Sequence, residues 1–347
     1  MITTQFRNER FANALNLVPQ NIPPIWFMRQ AGRYHSHYRK LKETYSFMEL
    51  CKQPELAAEV ALGPVREFGF DVSILFSDLL FPLEALGMGL TYDPGPKLSF
   101  SLTSENDLLR LKPYEEAIEG LKFQKEAVKR TREVLPNDVS LIGFVGGPFT
   151  LMTYASIGKH DGNLSFIKTN QNFVDKFYSI LVPLLKQNIE LQLQGGSELV
   201  MIFDTAAGML DPINFQRYVV GPITEFAKLY PKQIGYYAKN STEAQVRQIH
   251  EIPNLAGFGV DHRFSIQQTL TEFSGKGFIQ GNFDQELLFA ENSILKQKIK
   301  EYLQPIKDLD PKERKGWVAG LGHGVLQFTP ESSIHLLIDE TRKAFTE

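Results

Sequence analysis

The sequence is short of the residues that make disulfides, zinc clusters and membrane spans. It holds one cysteine, Cys51, in 347 residues, which excludes an internal disulfide and leaves no CxxC pair or Cys/His cluster. No run of about 18 uncharged apolar residues occurs, and the opening MITTQFRNERF lacks the apolar core of a signal peptide. We therefore expect a cytoplasmic protein without a membrane span, an export signal or a bound metal.

The sequence also lacks an excess of positive charge. Its formal net charge is -3, which argues against a dedicated nucleic-acid binder, for which a basic domain is expected. With 43% hydrophobic and 22% charged residues, the chain can bury a large core. One stretch differs: MRQAGRYHSHYRKLK, from Met28 to Lys42, contains five arginines and lysines and no acid. Because this basic block is local, it predicts a small anionic ligand.

Short apolar runs alternate along the chain with longer amphipathic patterns. The strand-like runs cover residues 24–28, 71–76, 139–144, 198–203, 233–238, 255–260, 277–281 and 316–321. The helix-like patterns cover 54–68, 114–134, 167–194, 213–229, 242–250, 265–273, 287–303 and 330–345. Because parallel neighbours need helical crossovers, this alternation predicts a single-domain (β/α)8 TIM barrel over residues 1–347. A doubly wound open sheet is the alternative.

Polar residues follow most of the predicted strands. In chain order they are Arg29 and Arg33, Asp78, the segment GGPFT, Asp204, Asp261, Asn282 and His323. Active sites of barrels are assembled at the carboxyl ends of strands that are distant in sequence. The pattern therefore predicts one shared pocket, with the basic block on its rim.

Several segments resemble the signature blocks of the uroporphyrinogen decarboxylase family. They are PIWFMRQAGRYHSHYR, DVSILFSDLLFPLEALGM, LIGFVGGPFTLMTYAS, VMIFDTAAGMLDPINF, FIQGNFDQELLFA and GLGHGVLQFTPES, in this order along nearly the whole chain. The resemblance implies a single (β/α)8 barrel that forms a homodimer and needs no cofactor. It also implies removal of four acetate carboxyl groups from uroporphyrinogen III, which leaves coproporphyrinogen III.

The resemblance assigns roles to three residues that suit this substrate. Arg29 and Arg33 match substrate-binding arginines, whose planar forks bind carboxylates bidentately. Asp78 matches a carboxylate that accepts hydrogen bonds from several pyrrole N–H groups, and its charge can stabilise a protonated pyrrole ring. Arg29 is also a candidate proton donor, although an arginine with a pKa above about 12 is a reluctant acid. The structural alternative for Asp78 is a helix N-cap.

Five further residues complete the predicted substrate site. Tyr154 matches a tyrosine that touches polar groups of the substrate, His323 lies between glycines in LGHG, and Thr205 keeps a hydroxyl where the family more often has serine. Phe144 and Phe203 match aromatic residues of the pocket wall. Imidazole can donate to a carboxylate, which would suit His323.

Departures from the family pattern leave other functions open. Ala206 stands where a ring is common, Lys42 where some members carry arginine, and GVDHR at 259–263 replaces the usual GLDWT. One alternative is a corrinoid or methionine-type methyltransferase of the same superfamily, although a single cysteine argues against its zinc site. The other is a noncatalytic tetrapyrrole-binding protein, which the sequence cannot separate from an enzyme.

Overall fold

A parallel sheet of seven strands organises the computed structural model, which describes residues 6–92, 95–160 and 162–346. Its strands lie side by side in chain order, β1-β4-β5-β6-β7-β8-β9. Their bounds are β1 Val72–Ile74, β4 Ser140–Gly146, β5 Leu199–Phe203, β6 Ile234–Tyr237, β7 Gly257–Gly259, β8 Phe278–Phe283 and β9 Trp317–Leu321. A separate antiparallel hairpin pairs β2, Thr91–Tyr92, with β3, Pro96–Lys97.

Helices connect the strands and cover the sheet. They are α1 Glu9–Leu15, α2 Ser36–Thr44, α3 Phe47–Lys52, α4 Pro54–Phe68, α5 Phe81–Leu83, α6 Glu105–Leu108, α7 Tyr114–Ala117, α8 Lys122–Val134, α9 Pro148–Ile157, α10 Ser165–Thr169, α11 Gln171–Gly195, α12 Pro212–Phe215, α13 Gly221–Leu229, α14 Glu243–His250, α15 Ile266–Phe273, α16 Asn292–Lys307 and α17 Glu331–Thr346. Within the described residues, none is long and apolar enough to cross a membrane.

The strand order distinguishes the two folds that the sequence allowed. A doubly wound sheet reverses its strand order at a switch point, whereas here every neighbour in the sheet is also the next strand of that sheet along the chain. The doubly wound alternative is therefore wrong. The α/β alternation is confirmed, and each of the last seven predicted strand runs overlaps an observed strand.

The first predicted strand, residues 24–28, is wrong as a regular strand. It contributes one isolated parallel bridge, between Ile25 and Ala319. Proline at Pro23 and Pro24 removes two backbone donors, and Arg29 turns the chain out of extended geometry with a φ of 57°. Its backbone still contacts both edges of the sheet: Trp26 N–H donates to the Ala319 carbonyl (3.1 Å), and Asp71 N–H donates to the Ile25 carbonyl (3.2 Å).

Several predicted helices are interrupted, and some of the observed helices were not predicted. A 3₁₀ turn at Ile118–Leu121 divides the predicted helix 114–134, and a π turn at Gln216–Val220 lies within 213–229. The predicted helix 167–194 is split between α10 and α11. Helix α9 was missed because it is apolar on nearly every face, so it shows no helical period.

A compact apolar cluster lies inside the curve of the sheet. Trp26, Val72, Ile142, Met201 and Phe278 are buried in it, and Phe144 and Phe203 pack against it while only half-buried themselves. Dense packing of this kind fixes the strands that carry the residues described next.

Candidate active site

A cavity of about 210 Å³ lies at the carboxyl ends of β1, β4, β5, β6 and β9. It brings together six of the eight residues predicted for the site: Arg29, Asp78, Phe144, Phe203, Thr205 and His323. Of the strand-end polar residues that were expected to share one pocket, Arg29, Asp78 and His323 line this cavity. Their chemical roles stay predictions.

Asp78 lies four residues beyond β1, after the chain has left the sheet. Its Oδ1 accepts the Leu80 N–H at 2.8 Å, as short polar side chains do in turns. Burial raises the pKa of Asp78, while Tyr92, the Leu80 amide and Arg29 act in the opposite direction. Asp78 therefore stabilises a turn and also presents a carboxylate to the cavity.

Arg29 enters the cavity through an unusual backbone geometry. Its φ of 57° lies in the left-handed region, which is uncommon for a long side chain. Gly324 leaves the space for it, because a Cβ there would lie 2.5 Å from Arg29 Cδ. Burial lowers the pKa of Arg29, and Arg33 lowers it further. Strain of this kind is characteristic of functional sites.

His323 is a neutral ring at physiological pH. Burial, followed by the positive charges of Arg29 and Lys239, lowers its pKa to about 3. The Tyr237 hydroxyl donates to the Gly322 carbonyl at 2.7 Å and lies 3.4 Å from His323 Nδ1, where the direction of the contact depends on the tautomer of the ring. A neutral imidazole keeps one N–H donor, and donation from His323 to a substrate carboxylate stays a prediction.

Aromatic rings form one wall of the cavity. The Phe144 and Phe203 rings lie 5.6 Å apart between centroids, and Phe203 and Tyr237 lie 6.4 Å apart. The sequence did not single out Tyr237, because the pair of tyrosines in QIGYYA reads as part of an ordinary buried strand. Its position at the end of β6 was the available signal.

Two predicted residues lie outside this cavity. Arg33 lines an open cleft of about 950 Å³ together with Arg39 and Lys42, so the basic block divides between the two spaces. Tyr154 is half-buried on α9, with its hydroxyl 3.2 Å from His160 Nδ1. Tyr154 also interacts electrostatically with Arg29.

Two other strand-end carboxylates support the protein itself. Asp204 Oδ1 accepts both the N–H and the hydroxyl of Thr150 at 2.7 Å, which fixes the first turn of α9 after β4. Asp261 receives Arg263 bidentately, at 2.9 Å from Nε and 2.8 Å from Nη2. No group of three or more His, Cys, Asp or Glu in the described ranges is arranged to hold a metal ion.

The family model described as uroporphyrinogen decarboxylase (URO-D) matches residues 6–344. The chain belongs to the uroporphyrinogen decarboxylase family. It is 32% identical over 341 residues to the uroporphyrinogen decarboxylase of Geotalea daltonii, covering 95% of this chain and 97% of that one. The enzyme of the same name from Carboxydothermus hydrogenoformans is 31% identical over 347 residues, covering 96% and 95%.

A solved structure of a methyltransferase from Methanosarcina mazei is also similar. Its TM-score is 0.75 at 18% sequence identity, covering 99% of both chains. At this identity the likeness concerns the fold alone.

Departures from the uroporphyrinogen decarboxylase pattern lie in different parts of the protein. Thr205 lines the cavity, whereas Ala206 is buried and its N–H donates to Thr150 Oγ1 at 2.9 Å. Lys42 lies in the outer cleft. Arg263, within GVDHR, is engaged by Asp261. None of these departures removes Arg29, Asp78 or His323 from the cavity.

Proposed function

We propose that this chain decarboxylates uroporphyrinogen III, converting its four acetate side chains to methyl groups to give coproporphyrinogen III. The observation that carries the proposal is one cavity that holds a guanidinium, a carboxylate and a neutral imidazole from three family motifs. The family match over residues 6–344 supports it. The net chemistry at each acetate is uptake of one proton and release of CO2.

The substrate supplies its own electron sink in this reaction. A proton adds to a pyrrole carbon, and the ring becomes a cation. The electron pair of the bond to CO2 then flows into that cation as CO2 leaves. A proton added to the resulting methylene carbon, with loss of the first proton, gives the methyl group and restores the pyrrole. No external cofactor is needed for this electron flow.

The two spaces suit different parts of such a ligand. Asp78 accepts pyrrole N–H groups, and its charge opposes the positive charge that develops on the protonated ring. The neutral ring of His323 offers one N–H donor and one acceptor to the polar groups of the ligand. Pockets for drug-sized ligands occupy about 300–1,000 Å³, and the cavity of about 210 Å³ is smaller than this. We therefore propose that the outer cleft with Arg33, Arg39 and Lys42 receives peripheral carboxylates.

We further propose that the fold is a single-domain (β/α)8 barrel, with the segment at Ile25 in the place of the eighth strand. Hydrogen bonds from this segment to Ala319 and from Asp71 to it support the proposal. The homodimer follows from the family resemblance and the cytoplasmic location from the single cysteine, and both are proposals too. Sedimentation that detects only monomer would contradict the dimer.

The test is anaerobic incubation of the protein with uroporphyrinogen III, followed by separation of the products by carboxyl number. We expect products with seven, six, five and finally four carboxyl groups, with turnover unchanged after dialysis against a chelator. Binding without any loss of carboxyl groups would contradict the enzyme and favour a tetrapyrrole carrier. A reproducible metal requirement would favour methyltransferase-like chemistry.

A further inference from the structure

Two buried side-chain amides connect the loop after β1 to helices behind the sheet. Gln192 on α11 and Gln124 on α8 are 0% and 1% exposed. Gln192 Nε2 donates to Gln124 Oε1 at 3.0 Å, and Gln124 Nε2 donates to Ser77 Oγ at 3.0 Å. Ser77 lines the cavity and directly precedes Asp78. We call these two residues the amide bridge.

The other end of the amide bridge is held by the backbone of β4. Gln192 Oε1 accepts the Phe144 N–H at 2.8 Å, and Gln192 Nε2 donates to the Phe144 carbonyl at 2.8 Å. Phe144 is two residues beyond Ile142, so its backbone groups point to the same side of the strand. At Ile142 that side is paired with the β1 segment, because Leu75 N–H donates to the Ile142 carbonyl at 2.9 Å.

The Gln192 amide therefore takes the place of a strand where β1 has left the sheet. Gly143 provides the space, since a Cβ there would lie 2.1 Å from Gln192 Oε1. The chemistry of the position is also specific. The Phe144 and Gln124 carbonyl oxygens only accept hydrogen bonds and the Phe144 N–H only donates, so the side chain between them must provide donors and an acceptor, as an amide does.

We propose that Gln192 and Gln124 are positioning residues for the reaction, because they fix the loop that carries Ser77 and Asp78 relative to Phe144 across the cavity. This inference rests on the proposed decarboxylation, in which Asp78 opposes charge on the ring. The amide bridge touches no reacting atom. Its loss shifts the carboxylate, which weakens transition-state stabilisation more than substrate binding, because the ring charge exists only during reaction.

The sharpest variant is Gln192→Glu, which keeps the shape and changes the hydrogen-bonding capacity with pH. The protonated carboxyl retains one hydrogen-bond donor. The ionised carboxylate has none, so its oxygens face the Phe144 carbonyl oxygen and Gln124 Oε1, which are also acceptors. Burial raises the pKa of the introduced carboxyl. We expect its kcat relative to wild type to rise about tenfold per pH unit on acidification above that pKa.

Gln194→Glu is the matched control on the same helix. Gln194 is exposed and contacts Lys125 and Glu190 at the surface. Its kcat relative to wild type should not change with pH. A flat ratio for Gln192→Glu over the same range would overturn the inference.

Leucine variants test whether the two amides act as one unit. We expect Gln192→Leu and Gln124→Leu each to lower kcat roughly tenfold with KM within about threefold. The kcat of the double variant should be no lower than that of the less active single variant. Wild-type kcat in both would overturn the inference, as would a rise in KM alone. If Gln192→Leu does not fold, Gln124→Leu and the pH series of Gln192→Glu give the decision.

Thermal stability separates this inference from the proposed function. If wild type shows no turnover, the proposed function fails, and the Tm of Gln192→Glu relative to wild type tests the amide bridge alone. A relative Tm that rises on acidification supports the bridge, and a constant one overturns it. If wild type turns over and the kcat ratio stays flat, only the inference fails.

Discussion

Asp71 and Asp78 lie at opposite ends of β1, and their surroundings differ. Asp71 is 5% exposed and is surrounded by donors. These are Ile25 N–H at 2.8 Å, Arg10 Nη1 at 3.0 Å, Asn8 Nδ2 at 3.3 Å and Arg342 Nη2 at 3.6 Å. Asp78 accepts one backbone N–H, from Leu80, and borders a cavity that also contains Arg29.

The difference shows that burial alone does not identify a functional carboxylate. Asp71 joins the amino-terminal and carboxyl-terminal segments to the sheet, so its hydrogen bonds contribute to folding. Asp78 faces the cavity, where its charge can act on a ligand. Their substitution should therefore give opposite results, with stability lost in one case and turnover in the other.

Asp78→Asn should have the largest effect. We expect kcat to fall about 10²–10³-fold, because the group that opposes the developing ring charge is lost. Stability should change little, since the Asn oxygen can still accept the Leu80 N–H. Asp78→Glu keeps the charge and should retain more activity than Asp78→Asn. Steady-state kinetics with thermal melts measures both, and a stable Asp78→Asn variant with near-normal kcat would contradict the role.

Asp71→Asn should show the reverse pattern. We expect the free energy of unfolding to fall by about 2–3 kcal/mol, because Arg10 and the buried Ile25 N–H lose a charged partner. Solvent limits the size of the loss, because it screens Arg10 and Arg342, which are 41% and 33% exposed. Urea unfolding measures the loss. A kcat reduced as strongly as in Asp78→Asn would remove the contrast between the two carboxylates.

Alanine substitutions test the division of the basic block. Arg29→Ala should lower kcat/KM roughly 10- to 100-fold, because a substrate carboxylate loses a charge-assisted partner in the cavity. Arg33→Ala should lower it less, since Arg33 lies in the outer cleft. Arg39→Ala should have the smallest effect, because Arg39 is 55% exposed. Equal losses in all three would show that both spaces bind the substrate equally.

Asp204 provides a third carboxylate, fully buried beside the neutral donors of Thr150. Burial raises its pKa to about 6, although hydrogen bonds from Thr150 act against the rise. The native state therefore binds this proton more tightly than the unfolded state does, so the contribution of Asp204 to stability is present at acidic pH and is lost as pH rises through about 6. Asp204→Asn should remove this pH-dependent change, which is about 3 kcal/mol for a pKa raised from 3.8 to about 6. Measuring the free energy of unfolding of both proteins at several pH values checks this, and the same pH dependence in both would contradict it.

Sequence patterns predicted the strands and much of the cavity for a simple physical reason. Parallel strands are continuous apolar runs, and polar residues that follow them must gather at one end of the sheet. This reasoning placed Arg29, Asp78 and His323 in one cavity. It failed at residues 24–28, where proline and a left-handed Arg29 prevent a regular strand.

Other features depend on three-dimensional register and could not be predicted. Arg33 lies outside the cavity because the turn at Gly32 and the start of α2 direct it to the outer cleft. Gln192 reads in sequence as a polar position on an amphipathic helix, yet it is buried against Phe144. A polar residue on a helix is typical of a solvent-facing position, and only the packed structure shows its buried partner.

The most direct test of Asp78 is a single-turnover measurement under anaerobic conditions. The enzyme is in excess over uroporphyrinogen III, at a concentration high enough to bind all of it. The rate of the first loss of CO2, which gives the seven-carboxyl product, is compared between wild type and Asp78→Asn. Because saturation removes differences in affinity, we expect the variant to be about 100-fold slower. A first decarboxylation at the wild-type rate would show that Asp78 only binds the macrocycle and would contradict its role in stabilising the ring cation.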